Sequence, residues 1–350
     1  MPLRLRPLLT AIRAARLTSL VLGLTALLLT LPAAAQAQAY RGVTFYVVAH
    51  PDDWQLFMGE AAYDDLADPT QKVVFIYLSA GDANQAARVQ CGGFPGAQPY
   101  YLAREAGALA SVRLVADRQQ LNGCPGAATA TTAEFRVTTA PAPGQEAPTR
   151  TRRLHRVAYL NSVSYFLRLP DAPNPRTNTG DYLTDFYHDA RRGGPRATTP
   201  LRITPVDSST TYQSWVDLTQ TVRAILVRES AGLPEFTVNL PETDSALNPS
   251  DHPQHLIAGY VVLDALPADA ARLVRWVGYD IDHRPDNLLP LAVVKKTGLY
   301  AAYNTAKVLA GATSDWSLLS ATDGDFRRLA RSYSRTTSAR LPPPAAPARR

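Results

Sequence analysis

Cysteine is nearly absent from this chain: Cys91 and Cys124 are the only two among 350 residues. Two thiols exclude a disulfide-dense small fold, and with no histidine close to either they exclude a cysteine metal site. In an oxidising compartment they suffice for one bridge, and a Cys91–Cys124 disulfide is expected, subject to geometry. Acidic residues are absent from the first 39 positions, where Arg4, Arg6, Arg13 and Arg16 precede the apolar stretch Leu17–Leu31. That stretch is shorter than the ~20 residues of a spanning helix. It ends in the small-residue run Ala33–Ala39. The pattern predicts a signal peptide over 1–39, cleaved after Ala37 or Ala39, a periplasmic or secreted protein, and no stable membrane span afterwards. With no cysteine near the cleavage region, the sequence argues against a lipid anchor.

A large charge of one sign is missing as well. The formal charge is +6, and losing four arginines with no acid would bring it to +2. A balance so close to neutral gives no reason to expect a nucleic-acid partner. No internal repeat is present.

What remains, roughly 310 residues, is enough to bury a full core. Val43–Val48 and Lys72–Leu78 are short continuous apolar runs, as expected of strands buried on both faces. Gln55–Ala67 between them predicts a crossover helix, hence a βαβ unit and a parallel sheet. Helices are expected at Tyr101–Val112, Ser214–Glu229 and Pro253–Leu266, strands at Phe236–Leu240 and Leu273–Ile281, and a strand pair or one long strand at Val157–Leu169. Leu291–Leu309 reads as mixed structure ending in a helix. The expected fold is α/β, a Rossmann-like, mostly parallel sheet with helices on both faces, in a single domain over 40–331. A surface insertion is expected at about 124–153, with one short strand at Glu134–Thr138. Arg176–Thr199 reads as a long loop, and 332–350 as a disordered tail rich in Ser, Thr, Pro, Ala and Arg.

Two segments far apart carry chemistry. Ala49-His50-Pro51-Asp52-Asp53 follows the first apolar run, and Asp251-His252-Pro253-Gln254-His255 opens a late helix. In open parallel sheets, sites form outside the carboxyl ends of strands, so the two can converge. His50 and Asp53 on a turn stiffened by Pro51 can reach one ion. His252 and His255, about one helical turn apart, share a face. One can bind metal while the other faces a substrate. Three protein ligands with an open position mark a catalytic rather than a structural metal site. Asp52 stands where a general base would be needed, and a histidine not bound to metal could meet an oxyanion. His155, His188 and His283 have no partners at ligand spacing.

These residues resemble the PIG-L/LmbE-like superfamily of metal-dependent N-deacetylases. The resemblance extends to Ser-Ala-Gly-Asp at 79–82, Arg104-Glu105, Leu-Arg-Leu-Pro-Asp at 167–171 and the stretch 279–288. It implies a zinc-assisted hydrolysis, with Fe²⁺ or another divalent metal as a substitute, that removes an N-acetyl group from an amino sugar or glycoconjugate. Carried over by position, His50, Asp53 and His255 bind metal, Asp52 is the general base, and His252 stabilises the oxyanion or acts as acid. Arg104 contacts substrate. Trp54, where the family often has Glu, is either a sugar platform at the cleft mouth or simple packing. Gln254 stands where the family often has an acid. The alternative from another class is a non-catalytic carbohydrate-binding protein on the same scaffold, and a metal phosphoesterase would call for more carboxylate ligands.

Overall fold

The first apolar run becomes the central strand of the protein. In the computed structural model, which describes residues 40–83, 89–93, 95–119, 127–139, 148–173, 181–192, 202–266, 272–315 and 324–338, β1 (Gly42–Val48) is buried at every position. It pairs in parallel with β2 (Gln71–Ser79) on one side and β6 (Glu235–Pro241) on the other. The described residues hold an eight-stranded sheet of order β3-β4-β5-β2-β1-β6-β7-β8. Its middle five strands, including β5 (Ser162–Leu169) and β7 (Arg272–Trp276), are parallel. The outer strands β3 (Thr129–Thr138), β4 (Thr149–Tyr159) and β8 (Ser334–Ser338) pair antiparallel.

Alternation along β1 divides the core between the two faces. Val43, Phe45 and Val47 pack among Leu218, Val222 and Ile257 on one side. Tyr46 and Val48 pack among Leu66, Val112, Leu299 and Tyr303 on the other. The first face is covered by α4 (Leu183–Arg192), α5 (Trp215–Ser230) and α6 (Pro253–Ala265). The second is covered by α1 (Asp53–Phe57), α2 (Gly59–Ala67), α3 (Tyr100–Ala116) and α7 (Pro290–Leu309). A short α8 (Gly324–Arg328) precedes β8. The Rossmann-like α/β expectation therefore holds, with helices on both faces.

Several boundaries differ from the sequence reading. The crossover helix is broken at Met58, whose backbone (φ −120°, ψ 6°) leaves the helical range between α1 and α2. The segment 124–153, expected as an insertion with one short strand, instead supplies β3 and the start of β4, paired from Thr129↔Ala158 to Thr138↔Thr149. Its residues are mostly small or polar because β3 lies at the sheet edge and seven of its ten residues are exposed. The tail expected to begin at 332 contains β8, which pairs with β7. The late strand stops at Trp276 and continues as a 3₁₀ turn, Tyr279–His283. Leu291–Leu309 belongs to one 20-residue helix.

The expected signal segment, Cys124 and the residues beyond 338 lie outside the described residues; Cys91 is exposed. No described helix is long and apolar enough to cross a membrane.

The outer hairpin is tied to the core by a buried ion pair. Arg152 on β4 donates from Nε to Asp217 Oδ1 at 3.0 Å and from a terminal nitrogen to Asp217 Oδ2. Asp217, in the first turn of α5, has a side chain 0% exposed. Removing one partner would strand a buried charge, which typically costs about 3–5 kcal/mol. Asp217→Ala is expected to destabilise the protein by about that much in urea unfolding. An Arg152→Met/Asp217→Leu double replacement should recover most of it. Equal losses in the single and double variants would show that the pair is not what holds the hairpin.

Candidate metal centre

Both motifs arrive at the carboxyl edge of the sheet. His50 lies just past β1, and Asp53 opens α1. His252 is the N-cap of α6 and His255 lies in its first turn. Asp53 stands at the meeting point. Its Oδ1 lies 3.2 Å from His50 Nδ1 and 3.2 Å from His255 Nε2. Its Oδ2 accepts from the His50 backbone N–H at 2.7 Å. His50, His252 and His255 also offer ring nitrogens within 4.8 Å of one another, a cluster that could hold a metal ion.

The outer nitrogens of the two rings bonded to Asp53 are also engaged, and this sets which nitrogen faces inward. His255 Nδ1 donates to Asp251 Oδ1 at 2.7 Å. His50 Nε2 donates to Gln254 Oε1 at 2.8 Å. In the neutral rings, His255 Nε2 and His50 Nδ1 are then the lone-pair nitrogens, both directed at Asp53. Metal-ligating histidines are oriented by such outer partners. Donors around a tetrahedral ion with bonds of about 2.0–2.1 Å lie about 3.3 Å apart, close to both separations found here. The set His50, Asp53 and His255 therefore fits a divalent cation.

Asp251 is the most heavily bonded of these partners. Beyond His255 it accepts from the backbone N–H groups of His252 (2.8 Å) and Tyr279 (3.0 Å), and from Asn248 Nδ2 (2.6 Å). Gly278 permits this approach, because a Cβ there would lie 2.2 Å from Asp251 Oδ1. Gln254 accepts from His50 and donates to the Asp171 carbonyl. An ionised acid at 254 could accept from His50 but not donate to that carbonyl. The amide thus has its own place in this chain, and it supports His50 rather than His252.

Electrostatics follow from these contacts. Burial alone would raise the Asp53 carboxyl, but His255 and His50 outweigh it and hold it well below the usual range. Burial would lower His255, but Asp53 and Asp251 push it up to about 10. A divalent cation in place of that proton meets the same acceptors. His252 is pushed down to about 4, by burial and then by His50 and His255. Its Nδ1 accepts from the Gln254 backbone N–H at 3.3 Å, so the neutral ring carries its proton on Nε2.

Asp52 lies beside this centre without touching His50 or His255, and is paired with Arg104. Arg104 also donates to the Gly81 carbonyl (2.6 Å) and to the Tyr303 hydroxyl (2.8 Å). A side chain on Gly81 (φ +57°) would place its Cβ 2.5 Å from the guanidinium. Arg104, expected to contact substrate, lines the cleft, but these bonds make it the residue that orients Asp52.

Trp54 corrects the sequence reading. It is 0% exposed, its indole donates to Tyr77 OH at 3.0 Å, and its ring packs 4.7 Å from Phe75. The turn that directs Asp53 toward α6 directs Trp54 into the core, so it offers no sugar platform.

The cleft over the centre measures about 290 Å³ and is lined by His50, Asp52, Asp53, Arg104, His252 and Asp171. Leu56, Tyr100, Tyr279, Asp315 and Asp325 complete it and were not identified as site residues from sequence. Only the Asp251–His255 contact, at i,i+4 spacing, left a local signal that could have been read. Compared with protein-family models, with curated proteins and with solved structures, the chain matches none.

Two outcomes are expected. Asp251→Asn and Gln254→Ala should each weaken Zn²⁺ affinity about 10–100-fold, measured by chelator competition on variants that keep the parent circular dichroism. Unchanged affinity in both would remove their role in orienting the ligands. Trp54→Ala should cost about 3–5 kcal/mol of stability, as for other buried aromatics. A surface platform would leave stability within about 0.5 kcal/mol.

Proposed function

We propose that this chain is an exported, metal-dependent N-deacetylase of the PIG-L/LmbE-like type, acting on an N-acetylated amino sugar or glycoconjugate. The observation that carries the reading is the convergence of His50 Nδ1, Asp53 Oδ1 and His255 Nε2, with Asp52 and His252 beside them in one cleft. Zn²⁺ suits two imidazoles and a carboxylate, and Fe²⁺ accepts the same set. Held there, the ion would supply a Lewis acid that polarises an amide carbonyl and acidifies a water.

The chain's own residues supply the rest. Arg104 holds one oxygen of Asp52, leaving the other to accept a proton from the attacking water. The amide C–N bond breaks, the water oxygen leaves in acetate, and Asp52 returns the proton to the departing amine. His252, neutral and with its proton on Nε2, can donate to the oxygen on which negative charge develops. A neutral donor suits this task, since it gives a hydrogen bond without first losing a proton to the cleft's carboxylates.

The reading predicts metal-dependent acetate release from N-acetylglucosamine or its oligomers. Removing a general base typically costs ~10²–10⁴-fold in rate, so Asp52→Asn should lose that much in kcat while retaining metal and fold. His252→Ala should lower kcat more than it raises KM, because the contact forms mainly in the transition state. If the metal-loaded parent released no acetate from any such substrate while still binding sugar, the non-catalytic carbohydrate-binding alternative would take its place.

A further inference from the structure

The two edges of the sheet are not alike. β8 closes one side with five residues and carries Arg335. β3 closes the other with ten, and among the described residues no strand pairs with its outer side. An unpaired edge offers a row of N–H and C=O groups to another chain. Soluble proteins ordinarily guard it with Pro, Lys, a bulge or an inward-pointing charge. β3 has none of these. Its sequence, Thr-Ala-Thr-Thr-Ala-Glu-Phe-Arg-Val-Thr, holds no Pro and no Lys. Its pairing with β4 runs one to one from Thr129↔Ala158 to Thr138↔Thr149, without a bulge. Its core-facing side chains are Ala133, Phe135 and Val137.

The ladder also shows which groups are open. Thr139, one step past β3, donates its N–H to the Pro148 carbonyl opposite at 3.2 Å. Residues of an antiparallel strand bond alternately to one neighbour and to the other. The odd-numbered positions of β3 therefore spend their backbone groups on β4. Thr132, Glu134, Arg136 and Thr138 direct theirs outward, and all four residues are exposed.

The charges on this edge suit a second copy of the same edge. Let two β3 strands pair antiparallel about a two-fold axis at Phe135. Glu134 of each then lies opposite Arg136 of the other, Thr132 opposite Thr138, and Ala133 opposite Val137. Moving the axis to Glu134 or Arg136 sets like charges face to face. Moving it to Ala133 or Val137 leaves both charges opposite neutral residues. A shift by a half step would set core-facing residues against outward ones. Glu134 already meets Arg153 on β4 at 2.9 Å, so the pairing puts a guanidinium on either side of it. Arg136 lies opposite Thr151 on β4 and has no carboxylate partner among the described residues, so the pairing supplies one. We infer that β3 is a self-association edge, through which two copies of this chain join their sheets antiparallel about Phe135. The four outward positions of each strand would close about eight backbone hydrogen bonds.

The test is sedimentation velocity on the purified full chain over a concentration series. The parent should be a dimer. Arg136→Glu sets glutamates opposite each other at two places, and Glu134→Arg does the same with arginines. Each should weaken the dimer roughly tenfold or more. An equimolar mixture of the two variants restores Glu opposite Arg at both places and should form a heterodimer about as tight as the parent dimer. Thr132→Pro removes an outward N–H without touching the ladder to β4, so it should weaken the dimer while circular dichroism stays at the parent level. If Thr132→Pro fails to fold, the charge variants decide, since both replace exposed side chains. A parent that stays monomeric up to about 100 µM would overturn the inference. A dimer unaffected by the charge variants, or variants that do not associate on mixing, would overturn it as well.

Discussion

Asp53 places one carboxylate oxygen 3.2 Å from a ring nitrogen of both His50 and His255, while its other oxygen takes the backbone N–H of His50. His255 is 202 residues from Asp53 along the chain, so this contact requires the whole sheet. It forms because β1 pairs with β2 on one side and with β6 on the other. Connections leaving β1 and β6 run to opposite faces of the sheet, α1 and α2 to one and α6 to the other. Where the connections part, a crevice opens at the carboxyl ends of the strands. His50 enters it from β1, and His252 and His255 enter it after β6.

A carboxylate buried among histidines is stable only when each outer nitrogen and oxygen has a partner. The chain meets that requirement with Asp251, Gln254 and the backbone at the start of α6. Pro253 opens the helix, His252 caps it, and Asp251 just before it accepts from the backbone N–H of Tyr279, beyond β7. Three strand ends are thereby tied together: β6 through the loop to Asp251, β7 through Tyr279, and β5 through the Asp171 carbonyl held by Gln254. The bonds that support the site are also the bonds that close the loops around it.

Much of this was legible in the sequence, and the parts that were not have a common cause. The buried parallel strands announce themselves as continuous apolar runs, α5 announces itself by period, and α6 by Pro253 at its start followed by an apolar stretch. The meeting of Asp53 with His50 and His255 was readable because His-Pro-Asp-Asp directly follows such a run. The β3–β4 hairpin was not, since an edge strand with most of its side chains in water needs no apolar run, and Thr129–Thr132 are all exposed. Partners joined only by tertiary contact, such as Gln254 with His50 or Arg104 with Asp52, leave no trace in local spacing. For Arg104 the sequence placed the residue at the site but not its direction. Only the positions of Gly81 and Tyr303 show that the guanidinium turns toward Asp52.

Trp54 shows how a residue can matter to this centre without facing it. Its neighbour Asp53 looks across to α6, while its own ring lies against Phe75 and reaches Tyr77 through the indole N–H. Helix α1 has only five residues and ends at Phe57, too short to be stable on its own account. Its orientation must come from what it buries, and Trp54 is its largest buried side chain. A side chain that anchors α1 on β2 therefore fixes the direction from which Asp53 meets His255. At this position an acid would have to find a partner in the core, and the aromatic ring instead packs against Phe75 with its one polar atom satisfied by Tyr77. The aromatic residue at this position therefore decides how the turn carrying Asp53 is held to the sheet, and it leaves His50, Asp53 and His255 in contact.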